Sequence, residues 1–243
     1  MPVWVVALAT VFVGGACQGL TGFGFALIVV PLLSIAWDVK ATVAAAALLG
    51  LASIIPLLVQ VRAQVQLKLV LTLLVGTVVG TPAGLAMLVV LNADALKIWV
   101  AFVVISLSVL FALSPRLRPK GESTGASVAV GTVAGLLRGS TGMGGAPIAF
   151  YLLGHQRGLE GFRSTFIAFQ LPAILMVVVG FVVAGQVTPD VLAVAGVSLP
   201  ALLLGLWLGA TLRYRVRPSM FQAIVLAVLV ITSAAAIASV VVG

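Results

Sequence analysis

The sequence predicts an all-α polytopic membrane protein made of two inverted repeats. Each repeat is a glycine-broken re-entrant helical hairpin followed by three transmembrane helices. Three observations carry this expectation. Of 243 residues, 63% are hydrophobic and only 7% charged, with a mean hydropathy of +1.33. A soluble domain needs far more polar surface. The apolar runs are continuous, whereas outer-membrane barrel strands alternate and last about 10 residues. Finally, the run Gly19-Leu-Thr-Gly-Phe-Gly-Phe-Ala26 returns as Gly139-Ser-Thr-Gly-Met-Gly-Gly-Ala146, and Gly15 matches Gly135 at the same spacing. Both copies interrupt a long apolar stretch, and paired interruptions in two halves of a membrane chain point to a transporter's binding site.

Eight apolar segments follow in order: roughly Val3–Trp37, Ala41–Val61, Leu69–Leu91, Ala95–Leu113, Gly125–Gly154, Thr165–Ala184, Val191–Leu212 and Phe221–Val242. Six have the length of one spanning helix, about 17 to 25 residues. The first and fifth are longer, and these carry the glycine motif. Each reads as two half-helices joined by a glycine loop at membrane depth, tolerated only where protein or a wet cavity surrounds it. The repeats are expected over 1–120 and 121–243, together one transport domain. Gly80 and Gly84 pair with Gly205 and Gly209, and Pro56 pairs loosely with Pro172. Gly76, Gly80 and Gly84 form a small-residue stripe, read as a surface for close helix packing.

Charge separates this arrangement from the alternative of eight simple spans. With eight spans, the basic loop residues divide almost evenly. With segments one and five entering and returning on one side, one face collects Arg62, Lys68, Arg116, Arg118, Lys120, Arg157, Arg163, Arg213, Arg215 and Arg217, and the other keeps Lys40 and Lys97. Only the second arrangement obeys the positive-inside rule. It makes the loop Ser114–Thr124 cytoplasmic and puts both termini outside. Trp4, Trp37 and Trp99 fall near the outer interface, and Tyr214 near the inner one. The formal net charge of +8 thus records topology rather than nucleic-acid binding.

Half-helix N-termini offer free backbone N–H groups and a dipole that favours an anion. Here these start near Phe25 and near Ala146. The expected binding set is Thr21, Gly22, Phe23 and Gly24 from the first loop, with Arg138, Ser140, Thr141, Gly142, Met143, Gly144 and Gly145 from the second. Thr21, Ser140 and Thr141 are read as hydroxyl donors. Against this stands a packing role for the glycines. Arg138 is the only charged side chain well inside an apolar segment, and no acidic residue lies in a segment core. An anionic ligand is a fitting partner; the alternative is that Arg138 snorkels to the cytoplasmic face or caps carbonyls. Gln18 holds the equivalent place in the first repeat, so the two hairpins are chemically unequal.

Cys17 and Gln18 are possible accessory residues. A lone cysteine excludes an intrachain disulfide and a cysteine-based metal site. His155 reads as interfacial, and Trp207, in mid-segment, as core packing. No catalytic set, metal site or cofactor motif is visible; the Gly-Phe-Gly run lacks the Gly-Lys-Ser/Thr of a Walker loop.

The two glycine loops, extended through Ala-Leu-Ile-Val-Val-Pro31 and Ala-Pro-Ile-Ala-Phe-Tyr151, resemble the TauE/SafE family of sulfite exporters, also called the toluene sulfonate uptake permease family. The stretch Phe162-Arg-Ser-Thr-Phe166 is similar to that family's second-half pattern. Two positions depart: Phe25 stands where glycine is common and Ala146 where proline is common. The resemblance implies a bacterial inner-membrane protein, usually drawn with eight spans, that moves sulfite, organosulfonates or related sulfur anions. Residues and resemblance together give a transporter or facilitator of sulfite, thiosulfate or a small sulfonate, bound between the glycine loops. An anion channel and an intramembrane enzyme using Cys17 are the alternatives. The expected partners are a small anionic substrate and the lipid bilayer.

Overall fold

A computed structural model describes residues 3–58, 65–113, 123–155 and 159–212. The last expected segment, Phe221–Val242, lies outside the described residues, as do Arg62, Arg116, Arg118, Lys120, Arg157, Arg213, Tyr214, Arg215 and Arg217. The described residues form helices joined by short turns: α1 (Val3–Thr21), α2 (Phe25–Leu33), α3 (Val39–Leu58), α4 (Leu67–Val90), α5 (Ala93–Leu113), α6 (Thr124–Thr141), α7 (Gly145–His155), α8 (Leu159–Val183) and α9 (Pro189–Leu212). Six of them, α1, α3, α4, α5, α8 and α9, are long and apolar enough to cross a membrane. The protein is a multi-pass, all-helical membrane protein.

The first and fifth apolar segments are each broken at the glycine motif. At both breaks the helix ends in a left-handed glycine, Gly22 (φ 87°) and Gly142 (φ 75°). The Gly22 N–H donates to the Gln18 carbonyl (2.7 Å) and the Gly142 N–H to the Arg138 carbonyl (3.0 Å). This is a glycine C-cap, which closes the last turn with a backbone that a side chain disfavours. The chain then reverses. A first side-chain carbon at Gly14 would sit 2.8 Å from Val29, and Ser127 shares a hydrogen bond of 2.9 Å with Tyr151. α2 therefore folds back along α1, and α7 along α6.

The two arms of each hairpin differ in length. α1 and α6 have 19 and 18 residues, whereas α2 and α7 have 9 and 11. At about 1.5 Å per residue, α1 is long enough to span by itself. In each hairpin the motif separates a longer helix from a short returning one.

Hydrogen bonds between helix ends fix the two faces. Lys40, at the start of α3, donates to the Val89 carbonyl at the end of α4 (2.8 Å). Lys97 opens the neighbouring α5, so the two residues counted as the minority face share one end. At the other end, the Gln66 N–H before α4 donates to Thr165 Oγ1 (3.4 Å), and Arg163 Nη2 donates to the Gly19 carbonyl near the end of α1 (3.4 Å). Lys68 and Arg163 therefore share the opposite end.

Two glycine seams hold the bundle together. α4 packs parallel to α6, and α1 parallel to α9. A side chain at Gly80 would overlap the Thr132 carbonyl, and one at Gly84 the Leu136 carbonyl. In the other seam, Gly205 meets the Phe12 carbonyl and Gly209 the Ala16 carbonyl. Gly80 and Gly205 are separated by the same interval as Gly84 and Gly209. Thr132 and Phe12 are separated by the same interval as Leu136 and Ala16. The contacts of one seam thus map onto the other residue for residue. Gly15 against Leu202 and Gly135 against Thr77 extend the match: a side-chain carbon on either would lie 2.8 or 2.6 Å from the partner's carbonyl. Without a hydrophobic drive between helices in lipid, such backbone approach supplies the packing. Thr77 Oγ1 adds a donor across the seam to the Gly131 carbonyl (3.2 Å).

Trp207 corrects another expectation. It is 67% exposed on α9, because the inner face of that helix is taken up by Gly205 and Gly209 against α1.

Candidate functional site

The glycine loops and the helices beside them line a cavity of about 50 Å³. That is room for a few waters or one small oxyanion. α1 contributes Gln18, and the first loop Phe23 and Gly24. The first turn of α2 follows with Phe25, Ala26 and Leu27. α6 gives Arg138, the second loop Gly142 and Met143, and α7 Gly145. The wall is completed by Gly50 and Ile54 of α3 and by Gln170 and Ile174 of α8. The returning helices begin at Phe25 and Gly145, within one residue of the sequence expectation, and both starts face the cavity. The loops approach closely: a side-chain carbon at Gly142 would lie 3.6 Å from Ala26 Cβ.

Identical glycines in the two loops serve different physical needs. Gly24 precedes α2 with φ 101°, a conformation that side chains rarely adopt. Gly144 has no such φ, yet a side chain there would overlap the Ala134 carbonyl and meet Arg138 Cβ at 2.5 Å. It is glycine so that the arginine can lie across it.

Arg138 is 2% exposed, which rules out the snorkelling alternative. Its Nη2 donates to Gln170 Oε1. Its guanidinium carbon lies 5.8 Å from the centre of the Phe169 ring, a cation–π distance. Its Nε has no hydrogen-bond partner among the described residues. Asp38, Asp94 and Asp190 stand at or before the first turns of α3, α5 and α9, so no described carboxylate neutralises it. A buried cation without a counter-charge costs several kcal/mol.

Gln18 sits at the matching place on α1 and is bonded in a matching way. Its Nε2 donates to Ser53 Oγ on α3 (2.7 Å), and Ser53 Oγ donates to the Gly50 carbonyl (2.5 Å). In each half, the polar residue before the capping glycine thus bonds to the second helix after it.

The hydroxyls expected to donate to a ligand are engaged elsewhere. Thr21 Oγ1 donates to the Phe23 carbonyl and accepts from the Phe23 N–H (3.1 Å). Thr141 Oγ1 donates to the Leu137 carbonyl (2.7 Å) and accepts from the Met143 N–H (3.3 Å). Ser140 Oγ donates to the Leu136 carbonyl (2.8 Å) and accepts from Trp99 Nε1 (3.0 Å). The threonines brace their own loops, and Ser140 ties the second loop to α5. Trp99 is consequently an interior link as well as an aromatic near a helix end. Thr21, Gly22, Ser140, Thr141 and Gly144 do not line the cavity; Phe23, Gly24, Arg138, Gly142, Met143 and Gly145 do. Cys17 is partly buried behind the loop, its Sγ 3.3 Å from where a side chain on Gly24 would begin.

Helix α8 supplies the residues that sequence reasoning missed. Arg163 reaches Gly19 at the end of α1, and the Phe166 ring lies tilted against Phe23 of the first loop, their centres 6.0 Å apart. Phe166 also touches the second loop at Gly145, and Gln170 holds Arg138. One face of α8 therefore contacts both loops. The available signal was Gln170, an amide inside the otherwise apolar run Thr165–Ala184.

A family model described as sulfite exporter TauE/SafE matches residues 7–236. No curated protein and no solved structure matches the chain.

Proposed function

From the premise that this chain belongs to the sulfite exporter TauE/SafE family, a family of membrane transporters, we propose that it carries a small sulfur oxyanion across the inner membrane and binds it in the cavity between the glycine loops. Sulfite, thiosulfate and small sulfonates are the candidate substrates.

One observation carries this reading: Arg138 is buried, has no described carboxylate partner, and lines the cavity, its Nε without a hydrogen-bond partner among the described residues. An oxyanion accepts from such a group a charge-assisted hydrogen bond of about 1.5 to 3 kcal/mol. The opening N–H groups of α2 and the Gly145 N–H of α7, whose third residue Pro147 has no N–H, add neutral donors and the positive ends of two helix dipoles. The apolar remainder, with Phe23, Phe25 and Ile174, excludes water and strengthens those interactions.

Residues 1–120 and 121–243 act as two inverted repeats that form one transport domain around this cavity. The matched seams and the matched Gln18–Ser53 and Arg138–Gln170 bonds support that division. In this reading the Lys68–Arg163 end is cytoplasmic and both termini are outside, in keeping with the positive-inside rule. Cys17 lies off the cavity wall, so the transporter reading does not need its thiol. The test is uptake of sulfite, thiosulfate and methanesulfonate by proteoliposomes. Saturable uptake of at least one, absent from protein-free vesicles, supports the proposal; no uptake of any overturns it.

A further inference from the structure

The cavity's polar atoms are of two kinds, and their arrangement selects among anions. A guanidinium has donors only, so the oxygen of Gln170 must face Arg138. Its amide nitrogen is thereby turned the other way. Gln170 Nε2 lies 3.3 Å from where a side chain on Gly145 would begin, at the start of α7. Across the cavity the logic reverses. Ser53 gives its single hydrogen to the Gly50 carbonyl, so its oxygen accepts from Gln18 Nε2. The Gln18 carboxamide oxygen is then an acceptor with no partner among the described residues, on a side chain that is 3% exposed and lines the cavity.

An unbonded acceptor in an anion site repels every bare oxyanion oxygen. Among candidate anions, one that itself carries a hydrogen satisfies it directly. Charge points the same way. Among the described residues Arg138 is the only charged side chain on the wall, so a monoanion leaves the cavity neutral and a dianion leaves one negative charge unpaired among apolar groups.

We propose that the cavity takes its ligand as a singly charged oxyanion that keeps one acid hydrogen, hydrogen sulfite rather than sulfite dianion. Gln18 Oε1 accepts that hydrogen, while Arg138 and Gln170 Nε2 donate to the ligand oxygens. This deepens the anion-site reading above and rests on it. The charged or titratable side chains on the elements around Gln18 are few. They are Cys17 on α1, Arg138 on α6, Tyr151 (bonded to Ser127) and His155, the last residue, on α7, and Glu160 in the first turn and Arg163 on α8. Lys40 on α3, Asp94 and Lys97 on α5 and Asp190 on α9 lie near the far starts of their helices, and α2 has none.

The test is binding of sulfite and of methanesulfonate to the purified full chain by calorimetry, between roughly pH 6 and pH 8. Methanesulfonate is a monoanion of similar shape with no acid hydrogen, and its charge is constant over that range. Sulfite loses its second proton near neutrality. The expected result is a flat profile for methanesulfonate. Affinity for total sulfite should fall toward about tenfold per pH unit once the dianion dominates. Gln18→Met should weaken hydrogen sulfite about tenfold more than methanesulfonate. Sulfite affinity that holds or tightens with rising pH overturns the inference, as does equal weakening of both ligands by Gln18→Met. The pH profile of the parent protein needs no variant to fold. Failure of both ligands to bind the parent, or methanesulfonate binding indifferent to Arg138→Gln, overturns the anion-site reading instead.

Discussion

Arg138 of α6 donates to the carboxamide oxygen of Gln170 of α8, fully inside the protein. The bond fixes the guanidinium without discharging it, so the positive charge stays available to a ligand. A carboxylate at the same place would discharge it. Gln170→Glu should therefore form an ion pair with Arg138 and weaken sulfur-anion binding by about tenfold or more, while thermal stability holds. Calorimetry and thermal unfolding on the same preparation check both halves. Gln170→Leu should instead lower stability by about 1.5 to 3 kcal/mol, through loss of a charge-assisted bond.

The seams predict a contrast between glycines. A side chain at Gly80 has the Thr132 carbonyl in its way, whereas one at Gly196 meets nothing within 4 Å. Gly80→Val should force α4 from α6 and cost several kcal/mol, seen as aggregation or early unfolding in detergent. Gly196→Ala should be neutral or stabilise by up to about 1 kcal/mol, as alanine suits a helix interior better. Gly205→Val should behave like Gly80→Val, because it occupies the matching place in the other seam.

The hairpin arrangement predicts topology. Reporter fusions at Gly121 and at Gly243, both outside the described residues, should give opposite signals, cytoplasmic for the first and external for the second. Identical signals would restore eight simple spans.

Much of this was legible in the chain because backbone demands leave strong marks. Gly22 and Gly142 could be read as helix breaks since a left-handed cap needs glycine. Gly76, Gly80 and Gly84 could be read as packing because their four-residue spacing makes a stripe. The motif did not show which glycines did which work. Gly19 and Gly139 belong to the repeated run yet pack against α9 and α4, and a side-chain carbon on Gly139 would lie 2.6 Å from the Thr81 carbonyl. The hydroxyls of Thr21, Ser140 and Thr141 were read as ligand donors, but local backbone acceptors lie nearer than any cavity. Gln170 and Ser53 escaped because counting charges passes over neutral amides and hydroxyls. Arg163 was read for its sign and for its place in the Phe162–Phe166 stretch; its contact with Gly19 joins residues 144 apart in sequence, and no local pattern reports that.

The central claim is that Arg138 binds the transported anion, and the most direct measurement is sulfur-oxyanion affinity of the purified Arg138→Gln variant by calorimetry. The account predicts binding weaker by roughly 10- to 100-fold, the equivalent of one charge-assisted bond, with folding intact because a buried charge is also removed. Arg138→Lys should recover only part of the loss, since the planar fork is gone. An Arg138→Gln protein that binds like the parent would contradict the account and leave Arg138 a structural residue bonded to Gln170.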